Sequence, residues 1–271
     1  MRTKRILSLV CLVVVALTSP MAYGSEIGAG ISITWLGQAG FKLQSGSDKI
    51  VVDPWSGAAG FPTGSVNDAT AVAITHGHFD HLDDSLLAAV RTVNTTHPFV
   101  AIFEIATYLQ SKGLGTLFST LLPMNKGGTV TVGGVRITMV DAVHSSGIGN
   151  ILTGGQPQDK TGGEAAGYII EFPNGFRIYH AGDTDTFGDM ALIRDRYQPD
   201  LALLPIGGVF TMDPEAAALA VSLLRPKFVI PMHYGGTFSL PGTPDAFRAA
   251  VHKRLGNSVK VIVINPGQTV D

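Results

Sequence analysis

Thr75-His76-Gly77-His78-Phe79-Asp80-His81 gathers three imidazoles and a carboxylate directly after the apolar run Ala71-Val72-Ala73-Ile74. Imidazoles this close together must be solvated, paired or ligated, and a buried carboxylate beside them needs a cation. The pattern His-x-His-x-Asp-His at the C-terminal end of a strand points to a hydrolytic metal site. Three further donors follow stretches that read as strands. His144 follows Ile137–Val143, Asp183 follows Ile178–Gly182, and His233 follows Phe228–Met232. Singly, each has an ordinary reading: a strand-end histidine is often only hydrogen-bonded, and Gly182-Asp183-Thr184 could form an Asx-turn. Four separate strand ends that all deliver imidazole or carboxylate shift the weight to metal binding.

The elements that must position these groups form two similar runs. Ile31–Trp35, Phe41–Gln44 and Lys49–Val52 read as strands separated by Gly-rich and polar turns, with Asp53 at the end of the third. A helix begins near Leu82, capped by Asp83 or Asp84, and strand Phe99–Phe103 leads into a short helix at Ile105–Ser111. The pattern then restarts. Gly128–Val132 and Val135–Val140 flank the turn Gly133-Gly134, and Tyr168–Phe172 and Phe176–Tyr179 flank Pro173-Asn174-Gly175. Helices at Asp189–Arg196, Glu215–Leu224 and Pro244–Lys253 alternate with strands at Leu201–Pro205, Phe228–Pro231 and Val259–Ile264. Two sheets face to face with helices outside bury such faces economically, which predicts an α/β (α+β) sandwich.

Residues 1–24 read as a secretory signal peptide. Arg2, Lys4 and Arg5 precede an apolar stretch from Ile6 to Leu17, and Ala22-Tyr23-Gly24 offers a cleavage site before Ser25. The apolar stretch is shorter than the roughly 20 residues of a membrane span, so no stable membrane insertion is expected. Removing this segment takes away three positive charges and no negative ones, moving the formal net charge from −2 to −5. The remainder, residues 25–271, is expected to be one domain, exported to the periplasm or secreted. Its acidity argues against nucleic acid as a partner. The single cysteine, Cys11, falls inside the leader, so disulfides and thiolate ligands are excluded from the domain.

Across residues 25–271 the chain resembles the metallo-β-lactamase superfamily, with its five motifs in order: Asp53; His76-x-His78-x-Asp80-His81; His144; Asp183; and His233. Trp35-Leu36-Gly37, Met124-Asn125-Lys126-Gly127-Gly128, Ala181-Gly182-Asp183-Thr184 and Pro231-Met232-His233-Tyr234 are similar to a branch of metal-dependent hydrolases related to ascorbate-phosphate lactonases. More distantly, that branch is similar to the phospholipase D that cleaves N-acyl phosphatidylethanolamines. The resemblance implies a four-layer αββα sandwich with a dinuclear site at one edge. By it, His76, His78 and His144 hold one ion, Asp80, His81 and His233 hold the other, Asp183 bridges them, and Asp53 orients a ligand histidine. One departure stands out: many relatives carry histidine after Trp-x-Gly, where this chain has Gln38.

Two three-ligand sets sharing a carboxylate leave coordination positions open, which distinguishes catalytic from structural zinc. The expected reaction is cleavage of an ester-like bond in a small molecule, a lactone or phosphodiester, by a hydroxide held on the ions, with Asp80 relaying its proton. Two divalent ions are expected; the ligand types suit zinc, and also manganese or iron. Alternatives stay open: a glyoxalase II-like thioesterase, a phospholipid-type phosphodiesterase, which would need an apolar groove near the metals, or a metal-binding protein without turnover. A β-lactamase proper is disfavoured by the missing cysteine and the retained Asp183, and an RNA-processing nuclease by export and acidity.

Overall fold

Parallel strands buried on both faces must be covered on both sides, whereas antiparallel strands can leave one face to solvent. Both kinds occur here, and their placement sets the layers. A computed structural model describes residues 27–28, 30–149 and 160–271; the leader expected over residues 1–24 lies outside the described residues.

The first seven-stranded sheet contains β1 (Ile31–Gly37), β2 (Gly40–Ser45), β3 (Asp48–Val52), β4 (Ala71–Ala73), β5 (Phe99–Ile102) and β6 (Leu121–Met124) in that order, with β16 (Thr269–Val270) beside β1. β1 to β3 are antiparallel, and β3 to β6 are parallel. Every residue of β4 and β5 is buried. The second sheet runs from β7 (Thr129–Val132) through β8 (Val135–Asp141), β11 (Ala166–Glu171), β12 (Arg177–His180), β13 (Leu201–Pro205) and β14 (Phe228–Met232) to β15 (Lys260–Val261). It too passes from antiparallel pairs into parallel ones, at β12 and β13. A small ribbon of β9 (Gly147–Ile148) and β10 (Lys160–Thr161) stands apart.

Five helices cover the parallel strands. α1 (Asp84–Val93) buries Leu87 and Val90, and α2 (Phe103–Ser111) packs on β5 and β6. α3 (Met190–Tyr197), α4 (Pro214–Leu224) and α5 (Pro244–Leu255) form the opposite layer, with α4 against β13. One continuous apolar cluster joins inward residues of both sheets, from Ile33 and Val51 to Ile170 and Leu203. The result is the expected αββα sandwich. The helix starts follow their local chemistry: Asp83, Asp213 and Thr243 each cap the backbone three residues on, and Pro214 and Pro244 occupy first-turn positions. Each cap contributes about 1 kcal/mol.

The final strand expected over Val259–Ile264 is only β15, and the chain continues to β16, which pairs Val270 with Ile33 in the first sheet. Strands β6, β9 and β10 are likewise absent from the sequence reading. They are short edge pieces without alternation, and Pro123 interrupts β6. Among the described residues no helix is long and apolar enough to cross a membrane.

Candidate metal centre

All seven candidate donors sit just past the C-terminal ends of strands: the four of the opening motif after β4, His144 after β8, Asp183 after β12 and His233 after β14. The fold brings them into three overlapping triads: His76, His78 and His144; His76, His81 and Asp183; and Asp80, His81 and His233. Within each triad the donor atoms lie within 4.8 Å of one another.

The hydrogen bonds around the histidines fix which ring nitrogen faces inward. Thr75 donates its hydroxyl proton to Asp53 Oδ2 at 2.6 Å, and its amide to Asp53 Oδ1 at 2.8 Å. With that proton committed, Thr75 Oγ1 accepts from His76 Nδ1 at 3.0 Å, which leaves the His76 Nε2 lone pair free. His81 Nδ1 donates to Asp53 Oδ2 at 2.8 Å, so its Nε2 also points inward. His78 is turned the other way: Nε2 is hydrogen-bonded with Ser145 Oγ at 3.2 Å, and Nδ1 faces His76 Nε2 at 3.0 Å and His144 Nε2 at 3.3 Å. Three ring nitrogens converging in this way form a donor set suited to a cation.

On the other side, Asp183 Oδ2 lies 3.1 Å from His233 Nε2, 3.3 Å from His81 Nε2 and 3.7 Å from His144 Nε2. Asp80 Oδ2 lies 3.4 Å from His233 Nε2 and 3.8 Å from His81 Nε2. His81 Nε2 and Asp183 Oδ1 are buried without a hydrogen-bond partner. Orphaned polar atoms of this kind are costly in a folded protein unless something else engages them. Imidazole and carboxylate in these numbers fit divalent zinc, manganese or iron.

The two sides differ in protonation. Burial, then repulsion among neighbouring imidazoles, holds His76 well below its usual range and His78 at about 4. Burial also lowers His144. Burial opposes charge on His81 and His233 as well, but the carboxylates Asp183 and Asp80 outweigh it; His81 rises well above its usual value and His233 to about 9. Burial in turn opposes ionisation of Asp183 and Asp80, and the histidines beside them override it and hold both below the carboxylate range.

Three non-glycine residues here adopt left-handed backbone: Gln38 (φ 51°), Asp53 (φ 45°) and His233 (φ 53°). Each costs on the order of 1–3 kcal/mol, and such conformations cluster at functional sites. Close approach also demands glycine at two points. A Cβ on Gly77 would fall 2.9 Å from Ile148 Cγ1, and one on Gly207 only 2.4 Å from the His233 carbonyl oxygen. The loops are tied together: Val143 donates its amide to Thr184 Oγ1 at 2.9 Å, joining the His144 loop to the Asp183 turn.

A cavity of about 330 Å³ is lined by His78, Asp80, His144, Asp183 and His233. Its wall is aromatic, with Phe79, Phe210 and Phe238, and Trp55 stacks on Phe238 at 5.6 Å. Phe210 is 59% exposed. Thr184 ties loops together, and Tyr234 leans on Trp35 with ring centroids 5.2 Å apart. Asn125 shapes a backbone turn, accepting from Gly128 at 2.9 Å. His180 belongs to the core: Nε2 donates to the Ala39 carbonyl at 2.8 Å, and Nδ1 accepts from the Gly182 amide at 3.1 Å. Met212 and Met232 are buried as core residues. Sequence reasoning missed Thr75 and Ser145 as partners of candidate donor histidines; their position next to His76 and His144 was the available signal.

A model of the beta-lactamase superfamily domain matches residues 32–233. The chain is 43% identical over 252 residues to a UPF0173 metal-dependent hydrolase of Rubrobacter xylanophilus, covering 90% of this chain and 97% of that one. It is 43% identical over 247 residues to another from Solibacter usitatus, covering 89% and 99%. Among solved structures it is similar to a metallo hydrolase from the hyperthermophilic archaeon Ignicoccus hospitalis, with 34% identity, a TM-score of 0.73 and coverage of 89% and 97%. With its donors gathered at strand ends of an αββα sandwich and these matches spanning nearly its whole length, the chain belongs to the beta-lactamase superfamily, among its UPF0173 metal-dependent hydrolases.

Proposed function

We propose that the protein is a dinuclear hydrolase that cleaves an ester-like bond, a lactone or phosphodiester, in a small molecule. The observation that carries this reading is the convergence of His76, His78, Asp80, His81, His144, Asp183 and His233 into overlapping triads beside the cavity. In it, His76, His78 and His144 would hold one ion, Asp80, His81 and His233 the other, and Asp183 would contribute to both; zinc is the first choice of metal. Bound there, divalent ions lower the pKa of coordinated water toward ~7 and polarise the oxygen of the bond to be cut.

The protein's own groups do the rest. Asp53 and Thr75 hold His81 and His76 in the tautomers that aim lone pairs inward. Asp80 lines the cavity and takes the proton released as the water attacks. Phe79, Phe210 and Phe238 shed water from the non-reacting part of the substrate, which favours substrates carrying an apolar group. Export through the leader at residues 1–24 completes the proposal and is tested by sequencing the mature N-terminus, expected at Ser25.

Elemental analysis of the purified protein, beside assays with bis-p-nitrophenyl phosphate, simple lactones and a chromogenic cephalosporin, tests the reaction. His78→Ala is expected to lower metal content and abolish phosphodiester or lactone turnover together. Full activity in that variant removes the site assignment. Stoichiometric metal without turnover on any ester-like substrate favours a binding protein instead.

A further inference from the structure

Gln38 lies on the tight turn between β1 and β2, far in sequence from every candidate ligand, yet its side-chain amide reaches the carboxylate side of the centre. Nε2 lies 2.9 Å from Asp80 Oδ2 and 2.9 Å from His233 Nε2. These are two of the donor atoms of the Asp80, His81 and His233 triad. As it stands Nε2 donates to Asp80; donor atoms sharing one ion at about 2.0–2.2 Å stand roughly 3.0–3.4 Å from each other, so the carboxamide oxygen, brought to this side, would lie near the spacing of a neighbouring ligand. We propose that Gln38 is a further protein ligand of this position, its carboxamide oxygen completing the set formed by Asp80, His81 and His233. The proposal rests on the two-ion reading above.

The surroundings hold the residue in place. Gln38 is buried, and its left-handed backbone is locked at the carbonyl, which accepts from Trp35 Nε1 at 3.0 Å and from the His233 amide at 3.0 Å. The same carbonyl therefore registers the β1–β2 turn directly onto the ligand His233. The nitrogen and oxygen of a carboxamide exchange places by a half-turn of the terminal bond. The oxygen now faces Gly236, where even an added Cβ would lie 3.9 Å from it, so that half-turn is unobstructed on that side. His233 also needs the help. His76, His78 and His81 each have the outward ring nitrogen engaged by Thr75, Ser145 or Asp53, but His233 Nδ1 is buried without a partner. A neutral oxygen donor strengthens this position without adding charge, and a histidine there would supply a nitrogen instead.

Calorimetric titration of the chelator-stripped protein with Zn²⁺ tests this, with Co²⁺ absorption as a second readout. The wild type is expected to take up two ions in two steps. Gln38→Ala and the isosteric Gln38→Met should weaken one step by about tenfold or more, within the range for lost metal-site contacts. The other step stays unchanged, and the Co²⁺ spectrum of the affected step alone shifts. Gln38→Glu, which keeps an oxygen donor, should restore that step. Two unchanged steps in both Ala and Met variants, with folding verified by circular dichroism, overturn the proposal. Tighter binding in them also overturns it, since the amide would then be a group the ion displaces. A single step in the wild type instead sinks the two-ion reading itself.

Discussion

The three-histidine corner and the carboxylate corner of the centre are built from similar residues to opposite electrostatic ends. His76, His78 and His144 are all pushed toward the neutral form, and two of them are backed by hydroxyls, Thr75 and Ser145. His81 and His233 are pushed toward the charged form by Asp80 and Asp183, and His81 is further backed by the fully buried Asp53. One corner offers lone pairs ready for a cation. The other already compensates its charges internally, so an entering ion must displace protons. Burial is common to both; what separates them is where the carboxylates fall.

Removing the carboxylate they share should erase the distinction. Asp183→Ala is expected to cost both ions and about 10³-fold or more in kcat/KM, on the order of 4 kcal/mol, read by metal analysis beside the assay. If one ion still binds at full affinity, Asp183 serves a single corner. The backing groups separate the corners next. Asp53→Asn should weaken binding most at the carboxylate corner, by about 10–100-fold, with a smaller loss relayed to His76 through Thr75, while Ser145→Ala affects only the three-histidine corner and by less. Parallel losses in both variants would show that the two corners are not independent.

Proton displacement sharpens the contrast further. His78 titrates at about 4 and His233 at about 9. Raising the pH from about 6 to about 8 should therefore strengthen binding at the carboxylate corner by about tenfold per unit for each proton displaced, with little change at the other. Equal pH slopes for the two binding steps contradict the assignment. The smallest effect is expected at the cavity wall. Phe210→Ala should raise KM several-fold for substrates with an apolar group, by about 1 kcal/mol, and leave short polar esters untouched.

The convergence of the seven candidate donors was legible in the sequence because each follows an apolar strand, and the segment after β4 supplies four of them. The sandwich was legible because both runs pass from hairpins into strands separated by helices. Gln38 was noted only as a departure from relatives. Its reach depends on a left-handed turn and on the approach of the His233 loop, neither of which a local pattern encodes. His180, written beside the Ala181-Gly182-Asp183 motif, proved to be a core residue because both ring nitrogens find backbone partners. The tautomer of His76 could not be read either, since it follows from a single proton that Thr75 gives to Asp53.

The pairing of β16 with β1 joins segments that lie far apart along the chain. Gly267 donates to the Trp35 carbonyl at 2.7 Å and Trp35 to that of Gln268 at 3.2 Å, so the strand leading into the Gln38 turn is clasped by a segment that follows every candidate donor in sequence. Closing so long a loop costs chain entropy that local contacts cannot offset, so this edge of the first sheet depends on the rest of the fold being in place.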